Sequence, residues 1–133
     1  MIPKTNDGLR VNFKFGERPT KTHALRVDRD VITGWVDRRE AMRQAIYLIL
    51  NVERYEHIIY SWNYGVELAN LFGKPIPFCM PEIKRRITDA LMQDKRITGV
   101  DEFTFEHRKG IIFTTFLVRT IFGDIRAERE VAV

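Results

Sequence analysis

Apolar side chains recur at helical spacing in residues 37–54, DRREAMRQAIYLILNVER. They occupy positions i, i+3, i+4 and i+7 and are Met42, Ala45, Ile46 and Ile49. This spacing places them on one face of a helix, which can pack against the rest of the protein. Asp37, with Glu40 three residues later, is typical of a capping box at a helix start. The pattern therefore predicts a long central helix that begins after Asp37.

The last third of the chain carries the patterns of β-strands. Residues 101–107 alternate, so that Phe103 and Phe105 face inward between polar residues that face outward. Residues 111–120 form a long β-rich apolar run, which predicts the central strand of a sheet. Residues 125–133 alternate again. These segments predict three antiparallel strands in a meander.

A hairpin and two shorter helices complete the predicted elements. Short β-rich runs at 24–28 and 31–36 flank an Asp-Arg-Asp turn, which predicts the hairpin. A short helix is predicted over 66–72, with Gly73 as its C-terminal cap. A third helix is predicted to begin near Pro81, since proline is favoured in the first turn of a helix.

The order of these elements predicts an α+β fold, in which an N-terminal hairpin and three helices pack on a mainly antiparallel sheet. Because the last strand runs to the end of the sequence, we expect it at the sheet edge, with one side of its backbone unpaired. Residues 1–22 show no sustained periodicity and contain two glycines and two prolines. We expect an extended or flexible arm over 1–22 and a single domain over 23–133.

Composition narrows the class of protein. With 44% hydrophobic and 30% charged residues, the sequence is that of an ordinary globular domain. Its 22 basic residues are interleaved with 18 acidic ones, which indicates a mixed solvated surface rather than a nucleic-acid-binding face. The chain has no run of about 18 apolar residues, so no membrane span is expected. Cys79 is the one cysteine, fits a reducing compartment and is interpreted as a small buried hydrophobe.

An acidic residue interrupts the apolar stripe of the central helix. Eleven residues after Met42, the stripe reaches Glu53 instead of another aliphatic residue. A carboxylate near the C-terminal end of a helix is disfavoured by the helix dipole and, if unpaired, is costly to desolvate. Glu53 therefore needs a dedicated partner. The candidates are Arg86, which flanks the apolar face of the third helix, and the adjacent Arg85, and we expect an ion pair that joins the two helices.

Catalytic chemistry has little support in the sequence. A glycosidase needs two carboxylates about 5–9.5 Å apart across a cleft. Glu53 and Glu56 are close in sequence, but Glu53 has a structural explanation and Glu56 is expected to face solvent. Glu102 and Glu106 lie on a polar strand face where solvated charges are usual. The three histidines and Cys79 lack the spacing of metal ligands. We therefore expect no enzyme, no metal and no cofactor, and the alternative is a hydrolase that degrades peptidoglycan.

The stretch ERYEHIIYSWNYGVEL, residues 53–68, is rich in aromatic side chains. Tyr and Trp are enriched at protein interfaces, but they also serve in cores when their polar tips find partners. For Trp62, core packing is the favoured interpretation, and contact with a partner protein is the other. Gly65 follows the cluster and suits a tight turn.

Three segments together resemble the XkdS-like baseplate proteins of contractile phage tails: ITGWVDRREAMRQAIYLILNVERYEHIIYSWNYGVEL, EIKRRITDALMQDKRITGVDEF and FGDIRAEREV. Those proteins are related to the lysozyme-like baseplate wedge family. The resemblance covers residues 23–133 and is most specific over 53–68. It implies a structural baseplate subunit of a phage or phage-tail-like particle, assembled in the bacterial cytoplasm. Its implied partners are other wedge proteins, sheath subunits and, as a further candidate, the tail tube, with no small-molecule substrate, membrane or nucleic acid among them.

The resemblance also implies two contact regions. In such proteins a sheet edge accepts strands from sheath subunits, which assigns that role here to Ile125, Arg126, Ala127, Glu128, Arg129, Glu130 and Val131. The wider wedge family often carries Glu-Pro-Arg after the last helix, and this chain has Asp94-Lys95-Arg96 there, without the proline. With the outer residues of 53–68, the implied baseplate contacts are Arg54, Tyr60, Trp62, Tyr64, Asp94 and Arg96.

Overall fold

The computed structural model describes residues 20–133, which form a hairpin, two α-helices, one 3₁₀ helix and a three-stranded sheet. In chain order these are β1 (Thr22–Arg26), β2 (Val31–Val36), α1 (Arg38–Asn51), the 3₁₀ helix (Ala69–Leu71), α2 (Ile76–Leu91), β3 (Ile97–Arg108), β4 (Ile111–Thr120) and β5 (Gly123–Ala132). The α+β class, the hairpin and the antiparallel meander are confirmed. The arm predicted over 1–22 falls outside the described residues, except for its last three positions.

One face of the three-stranded sheet carries the core. In β4 every second residue from Ile112 to Thr120 is buried, and the residues between them are half-buried or exposed. Both helices pack their apolar faces against this side, because a one-sided sheet must cover its hydrophobic face. Of the predicted stripe of α1, Met42, Ile46 and Ile49 lie in this core and Ala45 is half-buried. The large side chains of the core include Ile83, Ile87, Leu91 and Phe116 from α2 and β4.

The two outer strands of this sheet differ in regularity. Strand β3 pairs with β4 through two register shifts, one of them between Asp101 and Thr104, where Glu102 has a φ of 55°. Such bulges bend a strand and interrupt its hydrogen bonding. Strand β5 pairs with β4 without any shift from one end to the other. The β5 edge is therefore the regular one.

The prediction of three α-helices is wrong in its second and third members. Residues 66–72 contain only a single turn of 3₁₀ helix, and α2 begins at Ile76, well before Pro81. Pro75 is the N-cap of α2 and Pro77 lies in its first turn, where an amide N–H would have no intrahelical partner. The Pro-Ile-Pro sequence therefore starts the helix.

The side chain of Gln44 on α1 binds the backbone of the N-terminal hairpin. Gln44 donates from its amide nitrogen to the His23 carbonyl at 2.8 Å and accepts the Leu25 N–H at 2.9 Å. Its amide thus imitates the edge of a neighbouring strand. Ala24 is the buried residue of the hairpin, while Trp35 is exposed and stacks on His23.

Candidate interaction surfaces

The outer edge of β5 carries backbone groups that the sheet does not pair. The Val133 N–H donates to the Gly110 carbonyl at 2.9 Å, so the odd-numbered residues of β5 are those bonded to β4. In an antiparallel pair the alternate residues direct their N–H and C=O groups away from the partner. These are Asp124, Arg126, Glu128, Glu130 and Ala132. Within residues 20–133, one hydrogen bond reaches this outer row, from Arg39 Nη2 to the Asp124 carbonyl at 2.9 Å.

Ion pairs cross the solvent-facing side of the sheet. Arg119 Nε of β4 lies 2.7 Å from Asp101 Oδ2 of β3, and Arg126 Nη2 of β5 reaches across β4 to Glu102 Oε2 at 3.3 Å. These side chains are about half exposed, so each pair contributes only about 0–1 kcal/mol to stability. Their greater consequence is that they determine which charged side chains of β5 remain unpaired. Among the described residues, the acids of β5 that form no salt bridge are Asp124, Glu128 and Glu130.

Residues 52–66 form a loop whose ends are joined by backbone hydrogen bonds. Val66 N–H donates to the Val52 carbonyl at 2.9 Å, and Arg54 N–H donates to the Val66 carbonyl at 3.3 Å. Gly65 has a φ of +90°, and a Cβ built there would lie 2.5 Å from Val52 O. Glycine is therefore required at this crossing. We call residues 52–66 the Ω loop, because its ends meet and its middle does not pack in the core.

The structure corrects the expected ion pair of Glu53 with Arg86 or Arg85. Helix α1 ends at Asn51, and Glu53 Oε1 accepts the N–H groups of Leu68 and Ala69, both at 3.1 Å. These N–H groups begin the 3₁₀ helix, where donors without an intrahelical partner attract a carboxylate. Glu53 does have a dedicated partner, as predicted, but that partner is backbone and not a guanidinium.

Arg86 holds the same segment from the side of α2. Its Nη1 donates to the Glu67 carbonyl at 2.9 Å and to Asn70 Oδ1, and its Nε donates to Glu82 Oε2 at 3.0 Å. Arg85 pairs instead with acids on its own helix and is mostly exposed. The segment around the 3₁₀ helix is thus fixed by two separate side chains, one from the Ω loop and one from α2.

The tip of the Ω loop exposes large apolar side chains. Ile58 is fully exposed, Ile59 is 86% exposed and Trp62 is 75% exposed. Core packing of Trp62 is therefore wrong. Its ring contacts that of Tyr55 at a tilt of 46° with 4.6 Å between the centroids, a contact within the loop itself. Apolar side chains clustered at the surface of a folded protein mark an interaction site.

The base of the Ω loop joins this tip to the body of the protein. The rings of Tyr60 and Tyr64 stack with 4.6 Å between centroids and 16° between planes. Tyr64 packs against the core, and its burial, together with the nearby Tyr60, raises the pKa of its hydroxyl. Arg54 is partly buried and donates to the Gly65 carbonyl at 3.3 Å. Of the four implied contact residues in this loop, Tyr60 and Trp62 are the exposed ones.

Asp94 and Arg96 bind each other. Arg96 Nη2 lies 2.7 Å from Asp94 Oδ2, and the Arg96 N–H donates to Asp94 Oδ1 at 2.9 Å. Burial raises the pKa of the Asp94 carboxyl, but the hydrogen bonds and charge of Arg96 outweigh it and hold that pKa below the usual value. The pair lines a groove of about 380 Å³ together with Tyr64 and residues of β1 and α1. The structure thus brings Tyr64, Asp94 and Arg96 to one place.

Two other carboxylates considered for catalysis, Glu102 and Glu106, and the Cys79 thiol are engaged in structural contacts. Glu102 pairs with Arg126, and Glu106 pairs with Arg108. Cys79 is buried and lies in hydrogen-bond range of two backbone carbonyls. The described residues contain no cluster of three or more side chains suited to a metal ion. In the same part of the chain, neither helix is long and apolar enough to cross a bilayer.

Comparison with known proteins gives a family and a relative. The family described as contractile injection system sheath initiator matches residues 12–123. The phage-like element PBSX protein XkdS of Bacillus subtilis (strain 168) is 34% identical over 133 residues, which cover 98% of this chain and 85% of that protein. The family match begins before the domain expected over 23–133, and it ends at residue 123, where β5 begins.

Proposed function

This chain belongs to the sheath initiator family of contractile injection systems, and we propose that it is the baseplate subunit on which the tail sheath begins to assemble. Family membership and the relative from a phage-like element support a structural role in a contractile tail. The finer assignment divides the molecule between two partners. The Ω loop and the Asp94–Arg96 pair contact other baseplate proteins, and the β5 edge receives an extended segment of a sheath subunit.

The regular outer edge of β5 is the observation that carries the sheath assignment. Arg126, Glu128 and Glu130 each direct an N–H and a C=O outward, which offers an added strand six backbone groups. Strand addition to such an edge provides affinity through main-chain bonds and specificity through alternate side chains. At a net of about 0.5–1.5 kcal/mol per hydrogen bond, six bonds contribute about 3–9 kcal/mol to strand addition. The family match ends at residue 123, where β5 begins, so it does not cover the strand. The geometry of β5 is therefore what supports the sheath assignment.

The Ω loop supports the assignment of a second partner. Ile58, Ile59 and Trp62 project from a loop whose base is closed by backbone hydrogen bonds and aromatic stacking. A loop already fixed in shape loses little conformational entropy on binding, so its exposed apolar groups act as anchors. An apolar cleft on a neighbouring wedge protein is the surface that fits it. The Asp94–Arg96 pair lies beside Tyr64 at the base of the same loop and extends this contact.

Glu128→Pro tests the sheath assignment without unfolding β5. Proline removes the one N–H that points outward at this position and leaves the bonds between β4 and β5 in place. We expect a folded subunit that enters the baseplate but forms tails without sheath, as seen by electron microscopy. Glu128→Ala, which keeps the N–H, is the matched control and should give normal tails. Normally sheathed tails with the proline variant would overturn the assignment.

Ile58→Ser combined with Ile59→Ser tests the baseplate assignment. Both side chains are almost fully exposed, so the double variant should keep its melting temperature within about 2 °C. Its incorporation into baseplates, measured by mass spectrometry of purified particles, should fall at least about tenfold. Ile32→Ser in the hairpin replaces an equally apolar, 69% exposed residue and serves as the control. Equal incorporation of the loop variant and the control would refute the role of the loop.

A further inference from the structure

We propose that the strand received by β5 is basic on its solvent-facing side and supplies a carboxylate on its inner side. This inference rests on the proposed function, because it names the chemistry of the segment that the β5 edge accepts. It follows from the charges that β5 and α1 leave unpaired on the two sides of that edge.

The solvent-facing side of the edge is acidic. Of the outward residues, Arg126 is turned away across β4 by its contact with Glu102. Glu128 and Glu130 are exposed and form no salt bridge within residues 20–133. A residue directly opposite on an added antiparallel strand has its Cβ about 4.5–5.5 Å away, within reach of a charge pair. Two Lys or Arg residues at alternate positions of the added strand therefore match Glu128 and Glu130.

The inner side of the edge is basic. Arg129 Nη1 donates to Asn51 Oδ1 at 3.3 Å, while its Nε is buried and has no hydrogen-bond partner among the described residues. A buried donor of this kind costs about 1–3 kcal/mol when it stays unpaired. Arg43 lies on α1, as Asn51 does, and is exposed and forms no salt bridge in the described part of the chain. The guanidinium of Arg129 forms no salt bridge within residues 20–133, so an acidic side chain on the inner side of the added strand can pair with its charge.

A row of α1 side chains runs along β5 and lines the inner side of its free edge. Arg39 and Asn51 both contact β5, the first at the Asp124 carbonyl and the second at Arg129. Arg43 and Tyr47 lie between Arg39 and Asn51 on α1, each four residues after the one before it, and both are exposed. The added strand therefore lies in a channel with arginines and a tyrosine on its inner side and glutamates on its outer side.

Synthetic peptides test the charge pattern directly. The first probe is acetyl-Thr-Lys-Glu-Lys-Val-Thr-Val-Thr-amide, which places both lysines on one face, opposite Glu128 and Glu130, and the glutamate between them on the other face, opposite Arg129. The second probe exchanges every Lys for Glu and the Glu for Lys. Binding to the full chain is followed by NMR through the outward amides of Arg126, Glu128 and Glu130. At about 50 mM salt we expect the first probe to bind at least about tenfold more tightly, and the difference to shrink at about 500 mM.

Two variants separate local charge from net charge. Glu128→Lys with Glu130→Lys should reverse the preference between the two probes. Glu56→Lys with Asp89→Lys changes the net charge equally, on the Ω loop and on α2, and should leave the preference intact. On the inner side, replacing the glutamate of the first probe by valine should weaken its binding to the natural chain but not to Arg129→Gln.

Each outcome bears on one proposal. Equal affinities with shifts at the β5 amides would overturn the charge pattern and leave strand addition standing. A preference for the second probe, an unchanged preference in Glu128→Lys/Glu130→Lys, or no shift with the probes at about 5 mM would also overturn the charge pattern. The proposed function fails separately, through normally sheathed tails in Glu128→Pro.

Discussion

Replacing Glu53 with alanine should destabilise the protein because it removes the acceptor for two backbone donors. The carboxylate binds the N–H groups of Leu68 and Ala69 and so fixes the Ω loop to the 3₁₀ helix. Leu68 is buried, so its N–H has no access to water when the carboxylate is gone. Ala69 is exposed and its N–H can bind water instead. The two donors therefore contribute unequally.

The magnitude follows from this inequality. A buried donor left unpaired costs about 1–3 kcal/mol, and an exposed donor that finds water adds about 0.5 kcal/mol, which gives about 1.5–3.5 kcal/mol for Glu53→Ala. Glu53→Gln keeps an oxygen where Oε1 accepts both bonds and loses only the charge. Because charge-assisted hydrogen bonds are about twice as strong as neutral ones, that variant should lose about 1 kcal/mol.

An ion pair with Arg86 would give a different order of effects. Breaking a buried pair costs about 3–5 kcal/mol whichever neutral residue replaces the acid, since the guanidinium remains uncompensated. Urea denaturation followed by circular dichroism distinguishes the cases, with the slope m as a check that both variants unfold alike. Glu56→Ala, an exposed acid in the same loop, is the control and should shift stability by less than about 0.5 kcal/mol. Equal losses for the alanine and glutamine variants, or no loss beyond that of Glu56→Ala, would refute the backbone assignment.

Two further predictions use thermal and chemical denaturation. Gly65→Ala should lower the free energy of unfolding by about 2–4 kcal/mol, because its Cβ would overlap the Val52 carbonyl at a φ of +90°. Gly73→Ala, at a φ of +79° with no atom within 4 Å, should lower it by only about 1–2 kcal/mol. Similar losses for the two variants would contradict the close crossing at Gly65. Asp94→Asn should lose about 1–2 kcal/mol at pH 7. Because Arg96 lowers the native pKa of Asp94, this loss should shrink as the pH falls below the ordinary value of 3.8 and disappear below the native pKa; a loss independent of pH would contradict the pairing.

The periodic parts of the fold could be predicted because their signal is local. The stripe of α1 and the alternation of Phe103 and Phe105 each follow from one element packing one face against the core. The central position of β4 also followed from its apolar run, since a middle strand has its backbone paired on both sides and its inner face buried. In these elements the identity of the neighbours does not need to be known.

The partner of Glu53 could not be predicted, because backbone N–H groups are present at every residue and leave no mark in a sequence. A search restricted to side chains finds an arginine, and Arg86 does lie at the same segment while binding the Glu67 carbonyl. The exposure of Trp62 escaped prediction for a related reason. Aromatic side chains are common both in cores and at interfaces, and only the closure of the Ω loop at Gly65 places this one outside. That glycine was the available signal.

A free strand edge needs more than backbone groups to accept one partner in one register. Main-chain hydrogen bonds are equally good after a slip of two residues, so the register must come from side chains and from the ends of the edge. In this protein Arg39 occupies the Asp124 carbonyl and limits where an added strand can begin to pair. With Arg126 held across the sheet by Glu102, a slip of two residues would move a lysine from Glu128 to a position without a free acid. Under the proposed strand addition, the charge pattern selects the register of the added strand as well as its chemistry.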